Sequence, residues 1–222
     1  MKAVIKEILS ETGFENIQLE EDNDNSLFSK NTNKNIFYIS SFYNSIDDFK
    51  ERFKQDQNRA FNFICNRDNS NELKKNTSMI VFIKAKDTKE MNEIQSEILE
   101  LEEDIYFFKK YVLLYLEEEI EALKAEVESK KISEFMKATI NNEKLFEEFK
   151  VEETLSFYSL ILKLYIKMPH LVYSNTFEPK DIQDLHEKIT SDLKKKCVFE
   201  LHNELLSIDD IESWINKEIN IQ

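Results

Sequence analysis

The side chains most able to bind metal or attack a substrate are few. They are His170, His186 and His202 with Cys65 and Cys197. Cys197-x4-His202 is their only close pair, and no second pair follows at zinc-finger spacing. This predicts surface or capping histidines and buried thiols rather than a metal centre. Gly13 is the single glycine, which rules out phosphate-cradling loops, dinucleotide fingerprints and a Gly-x-Ser-x-Gly elbow, since each needs several glycines. No cofactor is expected. Among the many carboxylates, Asp68 and Asp87-x-Lys89 flank the strand expected at Thr77–Lys84. Two acids and a lysine there would suit a Mg²⁺-dependent nuclease. The competing reading makes Asp87 a helix N-cap, with Glu90 at the third helical position.

Two further patterns suit binding rather than catalysis. Basic clusters stand at Lys74-Lys75, Lys109-Lys110 and Lys194-Lys195-Lys196. Such clusters are usually solvated faces, but Lys194, Lys195 and Lys196 are the candidates for nucleic-acid contact. Tyr106, Phe107, Phe108 and Tyr111 surround Lys109 and Lys110. Aromatics of this kind stack on bases or anchor a protein interface, and the six residues are the candidate partner surface.

The formal net charge of -14 sets these clusters in a repulsive average field for a phosphate polymer. Most of the excess lies beyond residue 100. Hydrophobic residues make up 41% and charged residues 33% of the 222 positions, a globular composition with a heavily charged surface. Charges at Lys2, Lys6 and Glu7 argue against a signal peptide. The longest apolar run, Tyr111–Leu116, is far below the roughly 20 residues of a membrane span. Two distant cysteines without such a signal predict free thiols and a cytoplasmic location.

The elements that must position these residues follow from periodicity. A helix is expected over residues 2–12, with Val4, Ile5, Ile8 and Leu9 on one face and Gly13 at its end. Strands are expected at Asn16–Glu20, Ser26–Ser29, Asn35–Phe42 and Thr77–Lys84. Ser45 with Asp48 is an acidic capping box opening a helix through Ile46, Phe49, Phe53, Ala60, Phe61 and Ile64. Arg67–Asn76 reads as a loop.

From Met91, apolar positions recur at Ile94, Ile98, Leu101, Ile105, Phe108, Val112 and Tyr115, in gaps of three and four. With Leu116, Ile120, Leu123 and Val127 following, this heptad stripe predicts one helix of about 60 Å over 88–128. The alternative is two core helices broken near Glu102-Glu103-Asp104. Residues 105–116 are apolar almost all round, with only Lys109 and Lys110 expected to reach water, so the segment must be covered by fold or partner. Further helices are expected at Ile132–Ile140, Glu143–Phe149, Leu155–Ile166, Lys180–Lys195 and Ile208–Ile219. The fold class is therefore α+β. A small mixed N-terminal sheet with flanking helices (1–86) precedes a mainly helical region (87–222), and one continuous domain is the alternative.

Two motifs, Lys75-Asn-Thr-Ser-Met-Ile-Val-Phe-Ile-Lys-Ala85 and Glu102-Glu-Asp-Ile-Tyr-Phe-Phe-Lys-Lys-Tyr-Val-Leu-Leu-Tyr115, together resemble the middle component of bacterial ABC-three-component systems. That group includes the Lamassu anti-phage systems, whose accessory subunit is LmuC-like. The resemblance implies a non-catalytic bridging subunit. Its partners would be an ATPase of the SMC or Rad50 kind and an effector, often a nuclease, with DNA met only through the complex. The readings left beside it are a metal-dependent nuclease at Asp68 and Asp87, and a DNA-end contact module.

Overall fold

The computed structural model describes residues 1–17, 26–67, 70–127, 131–152 and 157–171. The expected helices at 180–195 and 208–219 lie outside them, as do Asp68, Lys194, Lys195, Lys196, His186, His202 and Cys197. Residues 1–174 form one compact unit.

Helix α1 (Lys2–Glu11) buries Val4, Ile5, Ile8 and Leu9, the face its spacing predicts. Past its end Gly13 takes φ +84°, a left-handed backbone that favours glycine. Its carbonyl then accepts from Thr32 N at 2.9 Å. Strands β1 (Phe14–Ile17), β2 (Ser26–Asn31) and β3 (Phe37–Tyr43) pair antiparallel in succession. Ser45 caps α2 (Ile46–Cys65) by accepting from Asp48 N at 3.0 Å, and Asp48 accepts from Asn44 N.

The stretch expected to be a loop at Arg67–Asn76 instead holds α3 (Ser70–Asn76). Its only apolar residue is Leu73, which is buried, so periodicity had nothing to register. Glu72 in the first turn and Lys74 and Lys75 in the last complement the helix dipole. Strand β4 (Thr77–Lys84) then lies parallel to β3, with Ile39 opposite Met79 and Ser41 opposite Val81.

The single helix expected over 88–128 is not formed. In its place stand α4 (Thr88–Glu93), α5 (Gln95–Glu103), β5 (Lys109–Tyr115) and α6 (Glu117–Val127). The segment Tyr111–Tyr115 is covered on both sides because it is a strand of the sheet. Val112 meets the core on one face, while Leu113 and Tyr115 meet the core on the other. Strand β5 pairs parallel with β4, closing a five-stranded sheet of order β1-β2-β3-β4-β5. Strands from both sides of residue 86 therefore share one sheet.

Helices cover both faces. The crossovers from β3 to β4 and from β4 to β5 put α2, α3 and α5 on one side. There Phe49, Ala60, Ile64, Leu73 and Ile98 pack on Ile39, Tyr43, Met79, Val81, Ile83 and Val112. Both crossovers step the same way and cover the same face, as connections of uniform hand require. On the other face α1, α6, α7 (Ile132–Ile140) and α9 (Phe157–Lys167) pack on Tyr38, Phe42, Ile80, Phe82 and Leu113. Helix α8 (Glu143–Glu152) joins α7 to α9. The result is a mixed α/β domain with helices on both sides of a central sheet.

A candidate docking site at the edge of the sheet

Residues 104–111 connect α5 to β5, and the strand's alternation decides which of them reach water. Lys110 does not. Its side chain is fully buried, and Nζ donates to Asp104 Oδ2 at 2.7 Å, Asp104 O at 3.0 Å and Tyr106 O at 2.8 Å. All three ammonium hydrogens are thereby used. Asp104 Oδ1 accepts from Tyr106 N at 3.0 Å, and Phe108 N donates to Tyr106 O at 3.0 Å. The hydrogen bond from Lys110, then that from Tyr106 N, holds the Asp104 carboxyl below its ordinary pKa. One buried ammonium thus fixes the course of the whole turn.

The turn so fixed points apolar side chains outward. Ile105 is 88% and Tyr106 71% exposed. Phe107 adopts φ +66°, a left-handed backbone that an aromatic residue seldom takes. Its ring meets Phe61 edge-on at 5.0 Å. Phe108 is buried in the core between sheet and α2. Lys109 is exposed and lies 5.1 Å from the ring of the half-buried Tyr111. The expectation that only Lys109 and Lys110 would reach water is therefore corrected at both ends. A helical stripe cannot distinguish the two lysines, whereas in a strand they face opposite ways.

Among the described strands, β5 is also a sheet edge. The carbonyl of Tyr115 accepts from Ala85 N at 2.9 Å, so the odd-numbered residues of β5 turn their main-chain groups toward β4. The even-numbered ones face out. Val112 N donates to Glu102 Oε1 at 2.6 Å, and that carboxylate is held by Lys167 Nζ at 2.6 and 2.7 Å. Leu116 N donates to Glu119 Oε2 at 2.9 Å, and the buried Glu119 is held by Lys163 Nζ at 2.8 and 3.1 Å. Sequence reasoning passed over these four side chains. Two lysines one turn apart on the otherwise apolar α9 were the available signal.

Asp87 caps α4. Its Oδ1 accepts from Glu90 N at 2.8 Å while Glu90 Oε2 accepts from Lys86 N at 2.6 Å. Lys89 pairs with Glu93 on the same helix at 3.7 Å. Among the described residues no group of three or more His, Cys, Asp and Glu side chains is placed to hold a metal ion. No helix among them is long and apolar enough to cross a membrane.

Fold and edge together define an α/β domain that offers a preorganised apolar turn beside an incompletely covered strand. Residues 35–147 match the family model of the ABC-three component (ABC-3C) system Middle Component 1. The match covers half of the chain, runs from β3 into α8 and contains residues 102–119 with the turn and strand β5, and the chain belongs to that family. A middle component is one part of a multi-component system. No curated protein and no solved structure matches the chain.

Proposed function

We propose that this chain is a non-catalytic bridging subunit. It joins an ATPase of the SMC or Rad50 kind to an effector in a bacterial anti-phage defence complex, and Ile105 and Tyr106 anchor one of the two partners. Membership of a middle-component family supports the bridging role. The observation that carries the docking site is the turn at 104–108. Two large apolar side chains are held in water by a backbone that a buried lysine has already ordered. Burying each anchor contributes on the order of 2 kcal/mol, and little ordering entropy opposes it because the turn is fixed before the partner arrives. Phe108 and Lys110 form the support behind the surface, and Lys109 stands at its rim.

The chain is co-expressed with the ATPase and effector components of its own system, and both co-purification and melting are measured. Tyr106→Ala and Ile105→Ala are expected to lose one partner while melting within about 2 °C of the parent. Phe108→Ala is expected to lower stability by about 3–5 kcal/mol, because it opens a cavity in the core. If the double variant of Ile105 and Tyr106 retains both partners, the turn is not the anchor.

A further inference from the structure

A bridge needs a second surface, and the outer edge of β5 has the main-chain groups of one. Val112 and Leu116 give their outward N–H groups to Glu102 and Glu119. Between these two posts, the strand's alternation leaves the Val112 carbonyl and the N–H and carbonyl of Leu114 facing outward. No strand among the described residues pairs with them. They open onto a groove of about 340 Å³. Met91, Asn92 and Ile98 form one bank, Lys163 and Lys167 the other, and residues 112–114 the floor. The Leu113 side chain is turned into the core and its main-chain groups face β4, so the polar edge of the groove comes from Val112 and Leu114.

We propose that this window is a strand-addition site, taking a short, extended, uncharged segment of a partner protein. Acceptor, donor and acceptor in sequence along a strand edge are complemented by another extended main chain. Charge sets the rest of the occupant's chemistry. Both lysines of the far bank are neutralised, Lys163 by Glu119 at 2.8 Å and Lys167 by Glu102 at 2.6 Å. A phosphate or carboxylate entering the groove would therefore meet no unpaired cation among the described residues that line it. An apolar side chain on the incoming segment would meet Met91 and Ile98. The posts also fix the length. Val112 to Leu116 spans about 13 Å at 3.3 Å per residue, and at either post the edge donor is already taken. The carboxylates thus stop the ladder from extending, which guards the edge against pairing with other copies.

The inference rests on the bridging reading for the identity of the partner, and the test separates the two. Amide exchange is measured on the wild-type chain, free and in complex with its co-expressed ATPase and effector. The Leu114 amide is expected to slow by about tenfold or more on assembly. Leu114→Pro removes an N–H that bonds nothing within the sheet and places the proline ring on the open side, where an edge strand tolerates it. Asn92→Arg fills the groove from an exposed helix position. Each is expected to weaken one partner by about tenfold with the fold retained. If Leu114→Pro does not fold, Asn92→Arg and the wild-type exchange rates decide. A Leu114 amide equally fast in the free chain and the complex overturns the proposal. So does one already slow in the free chain, which would mean that the chain covers its own edge. Loss of binding in Tyr106→Ala with both edge variants unaffected overturns the edge site and leaves the bridging reading standing. No complex from the wild-type chain overturns both.

Discussion

His170 sits with its ring 4.7 Å from Phe14 and 5.0 Å from Tyr38, beside a cavity of about 300 Å³ that Glu11, Thr12 and Tyr165 also line. Its Nδ1 is buried without a hydrogen-bond partner, and Nε2 lies 3.4 Å from Thr12 Oγ1. Burial, then the charge of Lys34, pushes its pKa down to about 4 from 6.5. Between those values the unfolded chain binds a proton that the folded chain refuses. The neutral ring's contribution is therefore complete above pH 6.5 and is lost as pH falls toward 4. Denaturant melts at pH 7 and pH 4.5 should differ by about 2 kcal/mol more in the parent than in His170→Phe. Equal differences would mean that the ring takes up its proton inside the fold. The sequence led us to expect surface or capping histidines, whereas His170 is packed among aromatic rings. Its neighbours were not legible, because Phe14 and Tyr38 approach it only through the tertiary fold.

At the scale of elements, local chemistry was read well and long-range chemistry was not. Helices α1, α2 and α7 and strands β2, β3 and β4 follow from periodicity and capping within a few residues of one another. The segment 105–115 failed because gaps of three and four arose where a helix face ran into a strand. Ile98 and Leu101 belong to α5, and Val112 and Tyr115 to β5. In a strand, those last two point to opposite faces. The compact run Tyr111–Leu116, rich in aromatic and branched residues behind the breaker Asp104, is also what a strand buried on both faces looks like. Only the neighbouring β4 decides between the two. The cap at Asp87 shows the opposite case, since donor and acceptor lie three residues apart. Asp87→Ala should cost about 1 kcal/mol and leave partner binding unchanged. A Mg²⁺-dependent DNA cleavage activity of the parent that this substitution removes would restore the nuclease reading.

For the whole molecule, charge is the property that bears most on DNA. The formal net charge is -14, and many of the described cations are already committed. Lys50 pairs with Glu97, Arg52 with Asp48 and Asp56, Lys84 with Glu117, Lys110 with Asp104, and Lys163 and Lys167 with Glu119 and Glu102. Duplex binding driven by counterion release needs cations free to replace the ions around phosphate, and a lysine already neutralised by a carboxylate must first give up its partner. Outside these pairs, the sequence's basic clusters leave Lys74 and Lys75 in the last turn of α3, Lys109 beside Tyr111 at the rim of the turn, and Lys194-Lys195-Lys196 outside the described residues. The isolated chain should therefore bind a duplex no more tightly than the ~10⁻⁴–10⁻⁶ M of non-specific contacts at physiological salt. Fluorescence anisotropy with a labelled blunt duplex, titrated at two salt concentrations, measures this directly. Submicromolar binding that weakens with salt and disappears when Lys194, Lys195 and Lys196 are changed to Ala would make the chain a DNA-end module in its own right. Weak binding by the chain alone, with tight binding once the ATPase component is added, would place the DNA contact in the partner and leave this subunit its protein surfaces.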